Sequence, residues 1–360
     1  MQQLVRFLGG AVVCIALLSP AAVFATDRYV ACGGPGSDTG DCSGPVSPCL
    51  TPQYAEGQTN NGDTVYVQGT CTATASGYYL NITPDTDTVW TAWNSRPVID
   101  CNNVANYGIG MAASRTTVRG FEIKNCVDIG IYATATPTGA VIEQNWLHDN
   151  GGACSDANIV SASSFAIIKN NIITDSACYG IRAWNNSQSI FHNTFVNNPN
   201  YAIYFSSGTS NSIRGNIIRS PSEATDYAVW YPQTATYQSF NNMFREGAVA
   251  KYRLAGTTYT GLGAWTAATG LDTNSVEADP MLEETTWHIG SVHSPAIDTI
   301  AAKSVNYDFD GQTRPQSLQS DYGADEYFFG IPEYSAATAA AALVFGAGFY
   351  LFYRRKRRFA

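Results

Sequence analysis

A short pattern returns six times between Thr117 and Asn242, and it limits the fold more than any other feature. It is an aliphatic pair, one or two polar residues, then Asn. The instances are Val118-Arg119-Gly120-Phe121-Glu122-Ile123-Lys124-Asn125, Val141-Ile142-Glu143-Gln144-Asn145, Ile167-Ile168-Lys169-Asn170, Ile190-Phe191-His192-Asn193, Ile213-Arg214-Gly215-Asn216 and a degenerate Phe240-Asn241-Asn242. From Asn125 through Asn145, Asn170, Asn193 and Asn216 to Asn242, the steps are 20, 25, 23, 23 and 26 residues. A period in that range is the mark of a solenoid.

A second pattern runs out of phase with the first. Gly130-Ile131-Tyr132, Asn158-Ile159-Val160, Gly180-Ile181-Arg182, Ala202-Ile203-Tyr204 and Ala228-Val229-Trp230 recur at a similar pitch. Each repeat therefore holds at least two very short β segments, which stand only when stacked coil on coil. Leu is nearly absent, which sets aside a leucine-rich repeat. The expected fold is all-β, a right-handed single-stranded parallel β-helix. The recurrent Asn reads as architecture, since it bends into the left-handed region and pairs along a stack.

Composition narrows the function. Only 14 % of the 360 residues are charged, and the net charge is -9. Nucleic acid is excluded as a partner, because phosphate binding needs clustered Lys and Arg. Residues 1–25 read as a secretory leader: Arg6, the apolar run Leu8 to Leu18, and Val23-Phe24-Ala25. Of 9 Cys, Cys14 falls in that leader, leaving an even set suited to disulfides. Cys101 and Cys126, and likewise Cys154 and Cys178, are about one coil apart and could staple neighbouring coils. Cys32, Cys42, Cys49 and Cys71 would tie down an N-terminal cap, where Thr51 to Glu56 could form a capping helix.

The opening of the mature chain carries a resemblance. Tyr29-Val30-Ala31, Gly36-Ser37-Asp38, Thr51, Gln53-Tyr54-Ala55 and Gly62-Asp63-Thr64-Val65-Tyr66-Val67-Gln68-Gly69-Thr70-Cys71 resemble the first coils of pectate-lyase-like right-handed β-helix proteins. That opening implies fold and capping, without an activity. At the other end stand Ser294-Pro295-Ala296-Ile297-Asp298, Asp308-Phe309-Asp310-Gly311-Gln312-Thr313-Arg314-Pro315 and Asp321-Tyr322-Gly323-Ala324-Asp325-Glu326-Tyr327. This triple signature resembles the choice-of-anchor Q domain that ends bacterial surface β-helix proteins.

Beyond it, Pro332-Glu333-Tyr334-Ser335, an apolar run from Ala336 to Tyr353 and Arg354-Arg355-Lys356-Arg357-Arg358 resemble a PEP-CTERM sorting segment. Tyr334 stands where a second Pro is usual. The resemblance implies processing by an exosortase-like transpeptidase, and the apolar run is long enough for a transmembrane helix. Both expectations place the globular part outside the cytoplasmic membrane, either membrane-anchored or released to the cell surface or matrix. The expected organisation is a leader (1–25), N-terminal cap and first coils (26–100), β-helix repeats (101–245), C-terminal coils and cap (246–328), and sorting motif, helix and basic tail (329–360).

Two sets of polar residues are candidates for chemistry. Asp149 and Asp175 are equivalent in adjacent coils, with Arg182 beyond them. Paired carboxylates suit glycoside hydrolysis, and an Arg assists proton abstraction beside a uronate. Asp308, Asp310, Asp321 and Asp325 could bind calcium, which prefers oxygen ligands, or form a salt-linked cap with Arg314. No cofactor is required. The expected function is carbohydrate binding, adhesion or structure at the cell surface, with polysaccharide or cell-surface components as partners. The alternative is a lyase or glycoside hydrolase acting on acidic polysaccharide.

Overall fold

The computed structural model describes residues 25–219, 226–232, 237–245, 251–301 and 305–328. They form a right-handed parallel β-helix of three sheets, to which each full coil contributes one short strand apiece. Thr64–Thr72 is long enough to turn the corner between the first two sheets. Its first half pairs with Val89–Ala92, and its second half with Val98–Asp100. Thereafter the corner is a break in the strand, as between Val141–Glu143 in the first sheet and Trp146–His148 in the second.

The inward side chains stack in register. In the third sheet Leu80, Ile109, Ile131, Ile159, Ile181, Ile203, Val229 and Tyr252 form one column. All are fully buried. Full burial of one such side chain is worth about 1.5–3 kcal/mol. An isolated coil would leave both flanks of its column wet, so the stack and not the coil is the stable unit.

The corner between the first and second sheets uses two adjacent residues for two tasks. Gln144, Asn170, His192, Gly215 and Asn241 take positive φ and turn the chain. The next residues, Asn145, Asn171, Asn193, Asn216 and Asn242, are fully buried and bonded to one another. Asn193 Oδ1 accepts from the Asn171 N–H at 3.0 Å and from Asn171 Nδ2 at 2.9 Å. Asn216 Oδ1 accepts from Asn193 in the same way. Thus Asn171, and not Asn170, belongs to the ladder, while Asn125 turns a different corner, after Glu122–Lys124.

Both ends are covered. Pro52–Glu56 is a helix whose Gln53 and Glu56 side chains accept from the Asn81 and Thr83 N–H groups, blocking the free edge of Tyr78–Ile82. At the far end Lys251–Leu254 pairs antiparallel with Thr257–Thr260. The helix Leu262–Thr269 follows and drives Trp265 into the core, stacked 5.2 Å from Tyr252. Disulfides join Cys32 to Cys71, Cys42 to Cys49 and Cys101 to Cys126. Cys154 and Cys178 are free thiols. Cys154 is on the exposed loop after Asn150, and Cys178 is buried, its Sγ accepting from Asn200 Nδ2 at 3.2 Å. Burial, and then the Cys154 contact, pushes the Cys178 thiol up to about 12.

The architecture corrects two expectations: Cys154 and Cys178 do not staple neighbouring coils, and the expected transmembrane helix is not among the described elements. Among the described residues no helix is long and apolar enough to cross a membrane. The described residues are therefore a β-helix with no membrane-spanning helix among them, and no described element carries the membrane-anchored placement. Residues 1–24 of the expected leader (1–25) and the segment 329–360, with its apolar run and basic tail, lie outside the described residues.

Candidate functional site

The outer face of the third sheet is aromatic along most of its length. In strands such as Tyr179–Ala183 and Tyr227–Tyr231, the third and fifth residues are buried and the first and fourth are half-buried. The second residue is small because the backbone of the next coil approaches closely. A Cβ on Gly180 would lie 2.6 Å from the Ala202 oxygen. This crowding shifts the alternation, so that both Tyr201 and Tyr204 meet the outer stack.

The rings run in two groups. Tyr78 stacks on Tyr107 at 4.5 Å, Tyr107 reaches Tyr132 at 6.0 Å, and Tyr132 reaches Trp184 at 6.4 Å. Tyr179 stacks on Tyr204 at 4.9 Å, Tyr204 on Trp230 at 4.2 Å and Tyr201 on Tyr227 at 5.0 Å. Arg182 lies between the groups, 5.2 Å over Trp184 and donating to the Ser155 carbonyl at 3.0 Å. Arg253 donates to the Tyr201 hydroxyl at 2.9 Å and lies over Tyr227. Burial pushes the Tyr179 hydroxyl up to about 12, so that hydroxyl stays neutral. The six steps between parallel strands from Tyr78 to Trp230 span on the order of 30 Å.

Asp149 and Asp175 lie at the corner between the second and third sheets, both with positive φ. They are neighbours along the axis, since the Asp149 N–H donates to the Asp175 carbonyl at 3.2 Å. The Asp175 carboxylate accepts from Asn197 at 3.1 Å. No hydrogen bond or ion pair joins Arg182 to either aspartate. Asp149 instead holds His148 Nδ1 at 2.7 Å, and His148 Nε2 lies 3.3 Å from Glu122. Lys124 completes the group, 2.8 Å from Glu122. The His148 hydrogen bond, outweighing burial and helped by Lys124, holds Glu122 down at about 2. Burial opposes the His148 imidazolium, but its two carboxylate partners prevail and raise its pKa.

The C-terminal segment covers the later coils of the second sheet. Trp287, Phe309 and Ala324 pack on Ile172 and Val196, while Ile289, Ala296 and Tyr322 pack on Ile217 and Met243. Its centre is Arg314, fully buried, 2.7 Å from Glu326 and donating to the carbonyls of Asp321, Gly323 and Asp325. Asp308 accepts from the N–H groups of Asp310, Gln312 and Glu326. Asp321 accepts from those of Asp298 and Tyr327. Burial raises Asp308 to about 6 and Asp321 to about 7, against these hydrogen bonds.

The four aspartates considered for calcium thus do not form one set. The grouping that could hold a metal ion is His288, Asp310 and Asp325, whose ligand atoms lie within 4.8 Å of one another. His288 Nε2 is 2.9 Å from Asp310, and Asp325 also accepts from the Ile289 N–H. Sequence spacing does not bring His288 together with Asp310, because only the docked cap does so.

Fold and surface together define a parallel β-helix protein with an aromatic outer sheet and a docked C-terminal cap. The chain belongs to the NosD family, described as periplasmic copper-binding protein: its model matches residues 56–266 of the 360. No curated protein matches. Among solved structures, pectate lyase Pel9A is similar at a TM-score of 0.44 and 12 % identity, over 85 % of this chain and 97 % of that one. XylC in complex with xylose gives 0.36 and 12 %, over 65 % and 73 %. The GH136 lacto-N-biosidase from Eubacterium ramulus gives 0.33 and 11 %, over 71 % and 67 %. At such identities the likeness is one of fold.

Proposed function

We propose that the protein binds an extended glycan along the outer face of the third sheet. The observation that carries this reading is the run of half-buried Tyr and Trp rings punctuated by Arg182 and Arg253. A continuous stripe of partly exposed aromatic surface on a folded protein marks an interaction site. Rings offer flat apolar faces to sugar C–H groups, while guanidinium and phenol groups supply hydrogen bonds. The test is calorimetry of the full chain against a panel of long-chain polysaccharides, with Trp230→Ala and Tyr204→Ala variants. Binding to at least one polymer, about tenfold weaker in either variant, is expected. No binding to any polymer would overturn the reading.

Cleavage of such a polymer is the second reading. What supports it is the linked group Glu122, His148 and Asp149, two carboxylates flanking an imidazole on the open part of the second sheet. Release of reducing ends from acidic polysaccharides, abolished by Glu122→Gln, would establish it, and a panel without turnover would exclude it.

A metal belongs to this proposal at one place. The family description names copper, and the sequence reading named calcium. An imidazole nitrogen with two carboxylates suits divalent copper or another first-row ion better than calcium, which favours all-oxygen sets. The group has no thiolate or thioether, so it does not suit monovalent copper. When bound, such an ion would be held by His288, Asp310 and Asp325. Equilibrium dialysis against divalent copper, zinc and calcium, with His288→Ala as control, distinguishes these. The finer resemblance of the cap to choice-of-anchor Q domains is part of the same proposal and concerns the core around Arg314.

A further inference from the structure

A cleft of about 300 Å³ opens where the cap meets the corner between the first and second sheets. Its walls include Thr91, Ser95, Arg96, Arg119, Phe309 and Asp310. That volume is at the lower end of small-ligand sites. Two guanidinium groups line it, in a chain whose net charge is -9.

The carboxylates around them are committed elsewhere. Glu143 is 2.9 Å from Lys169 and only 4.0 Å from Arg119. Glu122 is held by Lys124 and His148, and Asp310 by His288. Arg96 is fixed by a 2.6 Å bond to the Gln144 carbonyl and by stacking 4.0 Å over Phe309. Arg119 is anchored by Thr91, 3.1 Å from its Nε, with its side chain 44 % exposed. Both cations are therefore pre-positioned, and the carboxylates nearest them, Glu143 at 4.0 Å from Arg119 and Asp310 in the cleft wall, are bonded more closely to Lys169 and His288. Arg in fixed fork geometry pairs with two oxygens of a carboxylate, sulfate or phosphate group at once.

We propose that this cleft binds an oxyanion group, a carboxylate, sulfate or phosphate, on a ligand of about monosaccharide size. The proposal goes beyond the glycan reading, because the aromatic stripe lies on another sheet. Calorimetry of the full chain with a hexuronate trisaccharide, its methyl ester, and inorganic sulfate and phosphate tests it. The free acid is expected to bind at least about tenfold more tightly than the ester, and Arg119→Met to weaken it by a similar factor.

Arg119 carries the test because its exposed side chain can be lost without disturbing the cap, as melting would verify. Arg119→Lys should restore part of the affinity. Binding of sulfate or phosphate alone, lost in Arg119→Met, supports the site and assigns it to a free ion. Equal affinity for acid and ester, no anion binding, or binding insensitive to Arg119→Met overturns it. Loss in Trp230→Ala without loss in Arg119→Met would overturn it while leaving the glycan reading standing.

Discussion

Two ladders climb this molecule at the same pitch, one of amides and one of rings. The amide ladder, Asn145 to Asn242, is fully buried, and each rung bonds the next through side chain and backbone. The ring ladder on the third sheet, from Tyr78 to Trp230, is half-buried and held by stacking. Equal periodicity therefore does not mean equal purpose. A buried polar group must satisfy its neighbours or cost the fold its stability. A half-buried ring contributes less to folding than a bonded buried amide, so its repetition calls for a reason outside the fold.

The sharpest break of this contrast is Asn193→Ala. It leaves the Asn171 N–H without its acceptor and strips the Ile168 and Phe191 carbonyls of a donor. Loss of about 3 kcal/mol in urea denaturation is expected. A loss below about 1 kcal/mol would mean that the corner is held by strand pairing alone. On the ring ladder, Trp230→Ala removes the 4.2 Å stack on Tyr204 and should cost about 1 kcal/mol by the same method. A cost equal to that of Asn193→Ala would make the rings structural and remove the ground for a glycan face.

The solenoid was legible because its signal is local: two patterns at one pitch, each a strand and a turn. The ladder was legible except at Asn125, which turns a different corner, and for a one-residue offset at Asn170. Asn170 and Asn171 are adjacent and identical in the sequence, and only the positive φ of Asn170 separates turn from rung. The aromatic face escaped notice although Tyr132, Tyr204 and Trp230 are part of the second repeat. Those three alternate with the inward Ile131, Ile203 and Val229, but Tyr179, Tyr201 and Tyr227 join the face only because the crowding at Gly180 and its equivalents shifts the phase, which no alternation rule supplies. The cap site was hidden for another reason. Gln144 meets the Asp308 carbonyl across 164 residues, and contacts at that separation leave no periodic trace. Arg182 lies on the ring ladder, away from Asp149 and Asp175, because the intervening corner sends it to another sheet.

Glu122 tests a case between the two ladders, since it is bonded like the amides yet lies on an open surface. Its carboxyl titrates at about 2 against an ordinary 4.5. A depressed acid contributes stability that is complete above the unfolded value and lost as pH falls through the folded one. His148 is raised from 6.5, so its contribution is complete below 6.5 and lost as pH climbs past its folded value. Wild type should therefore exceed Glu122→Gln most between pH 4.5 and 6.5, with the gap closing toward pH 2 and shrinking at alkaline pH. The gap should be at most about 1 kcal/mol, in the range of partly exposed ion pairs. Urea midpoints measured stepwise from pH 2 to 8 would show it. A gap that stays flat across pH 2 to 4.5 would mean that His148 does not hold this carboxylate, and the group flanking Asp149 would then lose the polarised pair on which the cleavage reading depends.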